Sequence, residues 1–119
     1  MNTQEIAKTI LEQLGGGRFV AMTGASSMSS GMFGDAASNT REPGLSMRIG
    51  RNGKGVKGVI ITLEPSDTYR LRFITQKRAP SYEVVTLAEV EGVYVSSLRE
   101  VFERHTDLLT SLGTMGGAK

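Results

Sequence analysis

Val59-Ile60-Ile61-Thr62-Leu63-Glu64-Pro65-Ser66-Asp67-Thr68-Tyr69-Arg70-Leu71-Arg72-Phe73 is the stretch that decides the fold. Val59, Ile61 and Leu63 alternate with Ile60 and Thr62, and Tyr69, Leu71 and Phe73 alternate with Arg70 and Arg72. A period of two buries one face of a strand and wets the other. Between the runs, Pro65 suits the second position of a tight turn and Asp67 bonds local backbone, so the two strands form a hairpin. Upstream, Leu45, Met47 and Ile49 alternate with Ser46 and Arg48, and Gly50-Arg51-Asn52-Gly53-Lys54-Gly55 supplies the next hairpin turn. Downstream, after Ala79-Pro80-Ser81, a further strand is expected within Tyr82 to Val90. These runs make an antiparallel meander.

Working outward, Ile6, Ile10, Leu11 and Leu14 recur at helical spacing, with Thr3 as expected N-cap and Glu5 in the first turn. Gly15-Gly16-Gly17 ends that helix and turns the chain into an expected strand from Arg18 to Thr23. At the other end Leu98, Val101, Phe102, Leu108 and Leu109 define a helix face, and Ser97 with Glu100 has the spacing of a capping box. The fold class is α+β: an antiparallel sheet of four to five strands with an N-terminal and a C-terminal helix packed on one face. Residues 1–112 form a single domain and 113–119 a flexible tail. Residues 24–44 are dominated by Gly, Ser and other small or polar residues and follow neither period, so a long mobile loop is expected there. Its Met28, Met32 and Phe33 either adapt to a partner or fold back over a sheet edge. An open edge strand could pair two copies into a homodimer.

The 119 residues contain no Cys, which excludes disulfides and thiolate chemistry. No apolar run is long enough for a membrane span and the N-terminus lacks signal-peptide order, so a cytoplasmic protein without a membrane partner is expected. The net charge of +2 conceals a separation. Arg48, Arg51, Lys54, Lys57, Arg70, Arg72, Lys77 and Arg78 face only Glu64 and Asp67 within 48–78, a charge of +6. Residues 83–107 carry −4. Concentrated basic surface attracts polyanions, and guanidinium and ammonium groups neutralise phosphates. The eight basic residues are therefore the expected nucleic-acid contacts, against the plainer reading of a solvated sheet face. Tyr69 and Phe73 lie opposite the arginines and belong to the core. Only Phe33 and Tyr82 remain as stacking platforms, which favours backbone contact over base stacking.

Other motifs carry less. Gly53-Lys54-Gly55-Val56-Lys57-Gly58 matches G-x-G-x-x-G, but strands flank it where a dinucleotide site needs a helix. His105, the single histidine, sits on the apolar stripe of the last helix and reads as structural. Glu100 and Glu103 have Arg99 and Arg104 close by and read as a solvated surface. No catalytic residue, metal ligand set or cofactor site emerges, so a non-enzymatic protein is expected.

The strings Leu14-Gly15-Gly16-Gly17-Arg18-Phe19-Val20-Ala21-Met22-Thr23-Gly24-Ala25, Val59 to Tyr69, and Gly92-Val93-Tyr94 resemble a family of small uncharacterised proteins encoded by bacteriophages and mobile elements. The resemblance implies a phage or mobile-element setting and carries no catalytic motif. Two function classes follow: a nucleic-acid-binding protein making largely sequence-independent phosphate contacts, or a protein-interaction module that inhibits a host factor.

Overall fold

The structure, a computed structural model, describes residues 2–35, 40–77, 80–81 and 83–110. It is an α+β fold with the element order α1 (Thr3–Leu14), α2 (Gly16–Thr23), β1 (Ser26–Asp35), β2 (Thr40–Arg48), β3 (Gly58–Leu63), β4 (Tyr69–Gln76), β5 (Val84–Val93) and α3 (Leu98–Thr106). The strands form one antiparallel sheet in the order β1-β2-β3-β4-β5. Helices cover one face, and among the described residues no helix covers the other. The tail at 113–119 and Arg78 lie outside the described residues.

α1 begins one residue earlier than expected. Asn2, not Thr3, is the N-cap: its Oδ1 accepts from the Glu5 N–H at 2.8 Å, and Glu5 Oε1 accepts from the Asn2 N–H at 3.2 Å. That reciprocal pair satisfies two otherwise unpaired donors. Ile6, Ile10 and Leu14 are buried, as their spacing predicts.

The expected strand from Arg18 to Thr23 is a helix instead. Gly15 and Gly16 take positive φ (128° and 61°), reversing the chain after α1. Phe19 and Thr23, four apart, then fall on one buried face, and Thr23 Oγ1 donates to the Phe19 carbonyl at 2.7 Å. Phe19 meets Phe102 of α3 edge-on, with ring centroids 5.0 Å apart. An apolar run this short fits either period, and the glycine reversal decides it.

Residues 24–44 are not a long loop. They contain β1 and the first half of β2, joined in register from Asp35↔Thr40 to Ser30↔Leu45. β1 is an edge strand of small residues. With few apolar positions, it carries no alternating signal.

The meander is as its alternation predicts. Leu45, Met47, Val59, Ile61, Tyr69, Leu71 and Phe73 are buried beneath the helices. The 64–68 turn closes through the Glu64 N–H to the Thr68 carbonyl (2.8 Å) and the Asp67 N–H to the Glu64 carbonyl (2.9 Å), with Asp67 at φ 65°. α3 ends at Asp107 in the left-handed region, before Leu108 and Leu109, and Ser97 makes no capping hydrogen bond, so the expected capping box does not form. His105 stacks on Phe73 with centroids 4.8 Å apart, and its Nδ1 lies 3.0 Å from the Val101 carbonyl oxygen.

Tyr69 ties β4 to α1 by donating its hydroxyl to Gln13 Oε1. Burial raises the phenol pKa, the Gln13 bond opposes this, and Asp67 raises it further, so the net shift is upward. A proton held more tightly in the folded state stabilises below the ordinary phenol value of about 10 and ceases to do so as pH rises through the folded value. Tyr69→Phe is expected to lose about 0.5–1.5 kcal/mol near neutrality. It should also lose less stability than the parent between about pH 8 and about pH 10.5. Urea midpoints of both proteins at the two pH values check this.

Candidate nucleic-acid interface

The open face is set by strand register. One row across it is Ser29, Ser46, Ile60, Arg72 and Glu89, and the next is Gly31, Gly44, Thr62 and Arg70. Arg48 precedes the first row on β2, opposite Gly58. Arg48, Arg70 and Arg72 thus share the open face, as expected from alternation. Their surroundings differ.

Arg70 is enclosed by acids. Its guanidinium lies 3.5 Å from Glu42, 3.4 Å from Glu64, 3.6 Å from Glu89 and 3.4 Å from Glu91. The Arg70 side chain is 19% exposed and that of Glu42 only 8%. Arg70 Nε and Glu42 Oε1 are buried without hydrogen bonds, so their contacts within the cluster are ionic without directed geometry. Burial disfavours the charge on Arg70, but Glu42, Glu91, Glu64 and Glu89 together outweigh it and raise its pKa. Four carboxylates around one guanidinium leave this end of the face acidic. Glu64 also accepts from the Gly92 N–H at 3.0 Å and from Thr68 Oγ1 at 3.1 Å, which fixes the β3–β4 turn against β5. Arg70 is therefore held within an acidic cluster, unlike the other described arginines expected to contact phosphate.

The acidic segment therefore folds back on the basic one. Lys77 pairs with Glu83 at 3.5 Å, with both side chains exposed. Arg72 stands opposite Glu89 in register, but the Glu89 carboxylate turns to Arg70, and Arg72 has no ion pair among the described residues.

The other end of the face is basic. Asn52 organises the 49–57 loop: its Nδ2 donates to the carbonyls of Gly50 (2.9 Å) and Val56 (2.7 Å), and its Oδ1 accepts from the N–H groups of Lys54 (3.2 Å) and Val56 (3.1 Å). One side chain thus satisfies four backbone groups of the turn. Gly55 takes φ 72°, and the Gly50 N–H bonds the Thr23 carbonyl at 2.8 Å, tethering the loop to the end of α2. Arg48, Arg51, Lys54 and Lys57 radiate from this frame and form no ion pair among the described residues; Lys57 Nζ reaches the Gln76 carbonyl at 3.4 Å. Asp107 lies beside Gly53 but is not within ion-pair distance of any of these cations.

Two grooves meet here. One of 380 Å³ runs along the loop itself, and one of 360 Å³ lies on the open face; Arg48 and Lys57 line both. Comparison with protein-family models, curated proteins and solved structures gave no match.

Of the eight residues expected to contact nucleic acid, Arg48, Arg51, Lys54 and Lys57 are brought together around one loop, with Arg72 on the adjoining sheet face. Arg70 and Lys77 are occupied by acids. Asn52 is the residue that the sequence analysis does not single out. Phe33, a stacking candidate there, lines the open-face groove from a strand and not from a loop. The acidic neutralisation did carry a signal: Glu89 and Glu91 have the same two-residue spacing as Arg70 and Arg72, as required of cross-strand partners.

Proposed function

We propose that the chain is a non-enzymatic nucleic-acid-binding protein whose phosphate contacts come from Arg48, Arg51, Lys54 and Lys57, with Arg72 beside them. The observation that carries this reading is the gathering of four cations, without acidic partners among the described residues, around a loop held by Asn52. Cations carried near one another and not ion-paired with carboxylates neutralise successive phosphates and release their counterions. The acidic cluster around Arg70 complements them. It repels phosphate from the far end of the face, which orients a polyanion along the loop. Handling of nucleic acid also suits the phage or mobile-element setting that the quoted strings suggest.

The contacts are to backbone phosphates, so sequence preference is weak. The double variant Arg51→Ala/Lys54→Ala removes two exposed loop cations and is expected to lower affinity for a labelled oligonucleotide roughly tenfold at low salt. Neither side chain holds the loop together, because Asn52 does. Fluorescence anisotropy titration reads the effect, and unaltered affinity would contradict the assignment.

A further inference from the structure

Phe33 changes what the open face can bind. Gly58 and Phe33 line a groove on the open face, and the Phe33 ring folds over Gly31, coming within 3.6 Å of where a Cβ would stand. Ile60, Ile74 and Val84 complete an apolar groove of 360 Å³, and Arg48 and Lys57 stand along it. Val84 is 59% exposed, so the groove is open to solvent along its β5 side. The same two cations line the loop groove.

We infer that this groove takes an unstacked base of a single-stranded nucleic acid, stacked on Phe33, while Arg48 and Lys57 hold the flanking phosphates. The inference rests on the phosphate-binding reading above and adds a strand preference to it. Charge complementarity selects the occupant: an apolar slot whose wall is shared with a cationic loop fits an anionic chain carrying planar apolar faces. A duplex keeps its bases stacked inside and cannot fill such a slot, whereas single strands present them. The groove is small even among ligand sites, suited to a flat ring and not to a helix or a globular surface.

Three measurements on the full chain test this. Anisotropy titration should give tighter binding to a single-stranded oligonucleotide than to its duplex. Phe33→Ala should lower single-strand affinity roughly tenfold and leave duplex affinity unchanged, with Phe33→Trp retaining the preference. Should Phe33→Ala fail to fold by circular dichroism, the unaltered protein still decides: irradiation with a 5-iodouracil oligonucleotide should give an adduct that mass spectrometry maps to Phe33. Equal affinity for single strand and duplex, or adducts confined to 49–57, would overturn the groove assignment while leaving phosphate contact standing. No binding of either form at low salt would overturn both.

Discussion

Gly44→Ala is expected to cost about 3–5 kcal/mol, a large part of the stability of a domain this size. Gly44 lies in β2 between Gly31 of β1 and Thr62 of β3. A Cβ at this position would stand 2.1 Å from the Ile61 carbonyl oxygen and 2.8 Å from the Thr62 Cα. Both are backbone atoms of the neighbouring strand and cannot turn away as a side chain would. β2 and β3 would have to separate, and their register is what places Leu45 and Met47 beside Ile61 and Val59 in the core. Overpacking against fixed backbone is among the mechanisms that produce large losses. Gly17→Ala is the matched comparison. Gly17 lies in α2 with nothing within 4 Å of the added atom, so that change should stabilise by about 0.5–1 kcal/mol. Urea unfolding of both variants reads the contrast. Similar midpoints for Gly44→Ala and the parent would contradict the tight β2–β3 approach.

Arg70→Ala is expected to cost about 2–3 kcal/mol. Removing the guanidinium leaves Glu42, Glu64, Glu89 and Glu91 facing one another, with Glu42 nearly buried. Loss of one partner from a buried ion pair costs about 3–5 kcal/mol, and the estimate is reduced here because Glu89 and Glu91 are solvent-exposed and screened. Two consequences separate this hub from a phosphate contact. Glu42→Gln added to Arg70→Ala should restore part of the lost stability, because it removes the least hydrated of the uncompensated charges. The folded fraction of Arg70→Ala should bind oligonucleotide with the salt dependence of the parent. Chemical denaturation and a salt titration measure the two outcomes, and a shallower salt dependence in Arg70→Ala would restore Arg70 to the contact set.

The meander was legible because half-buried antiparallel strands must alternate. Val59 to Leu63 and Tyr69 to Phe73 do so with strong apolar residues at each inward position. α2 was not legible because Phe19, Val20 and Met22 are compatible with both periods, and the positive φ of Gly15 and Gly16 sets the chain direction. β1 was hidden because its register against β2 sets Ser30, not an apolar residue, beside Leu45. Its strand state is imposed by pairing. The site divides in the same way. The number of cations is a property of the sequence, but which of them stay without acidic partners depends on β5 lying beside β4. Asn52 holds residues within four positions of itself and was within reach of a closer reading of turn chemistry. Phe33 stands out as a stacking candidate, but the face it lies on does not, since that follows from a strand that has no periodic signal.

The central claim is that Arg48, Arg51, Lys54 and Lys57 act together on phosphates. The most direct measurement is the slope of log affinity against log salt for oligonucleotide binding, in the parent and in Arg51→Ala/Lys54→Ala. Four neutralised phosphates predict a slope of roughly −3 to −4 for the parent, falling to about half in the double variant. A slope near zero, or the same slope in both proteins, would contradict the account.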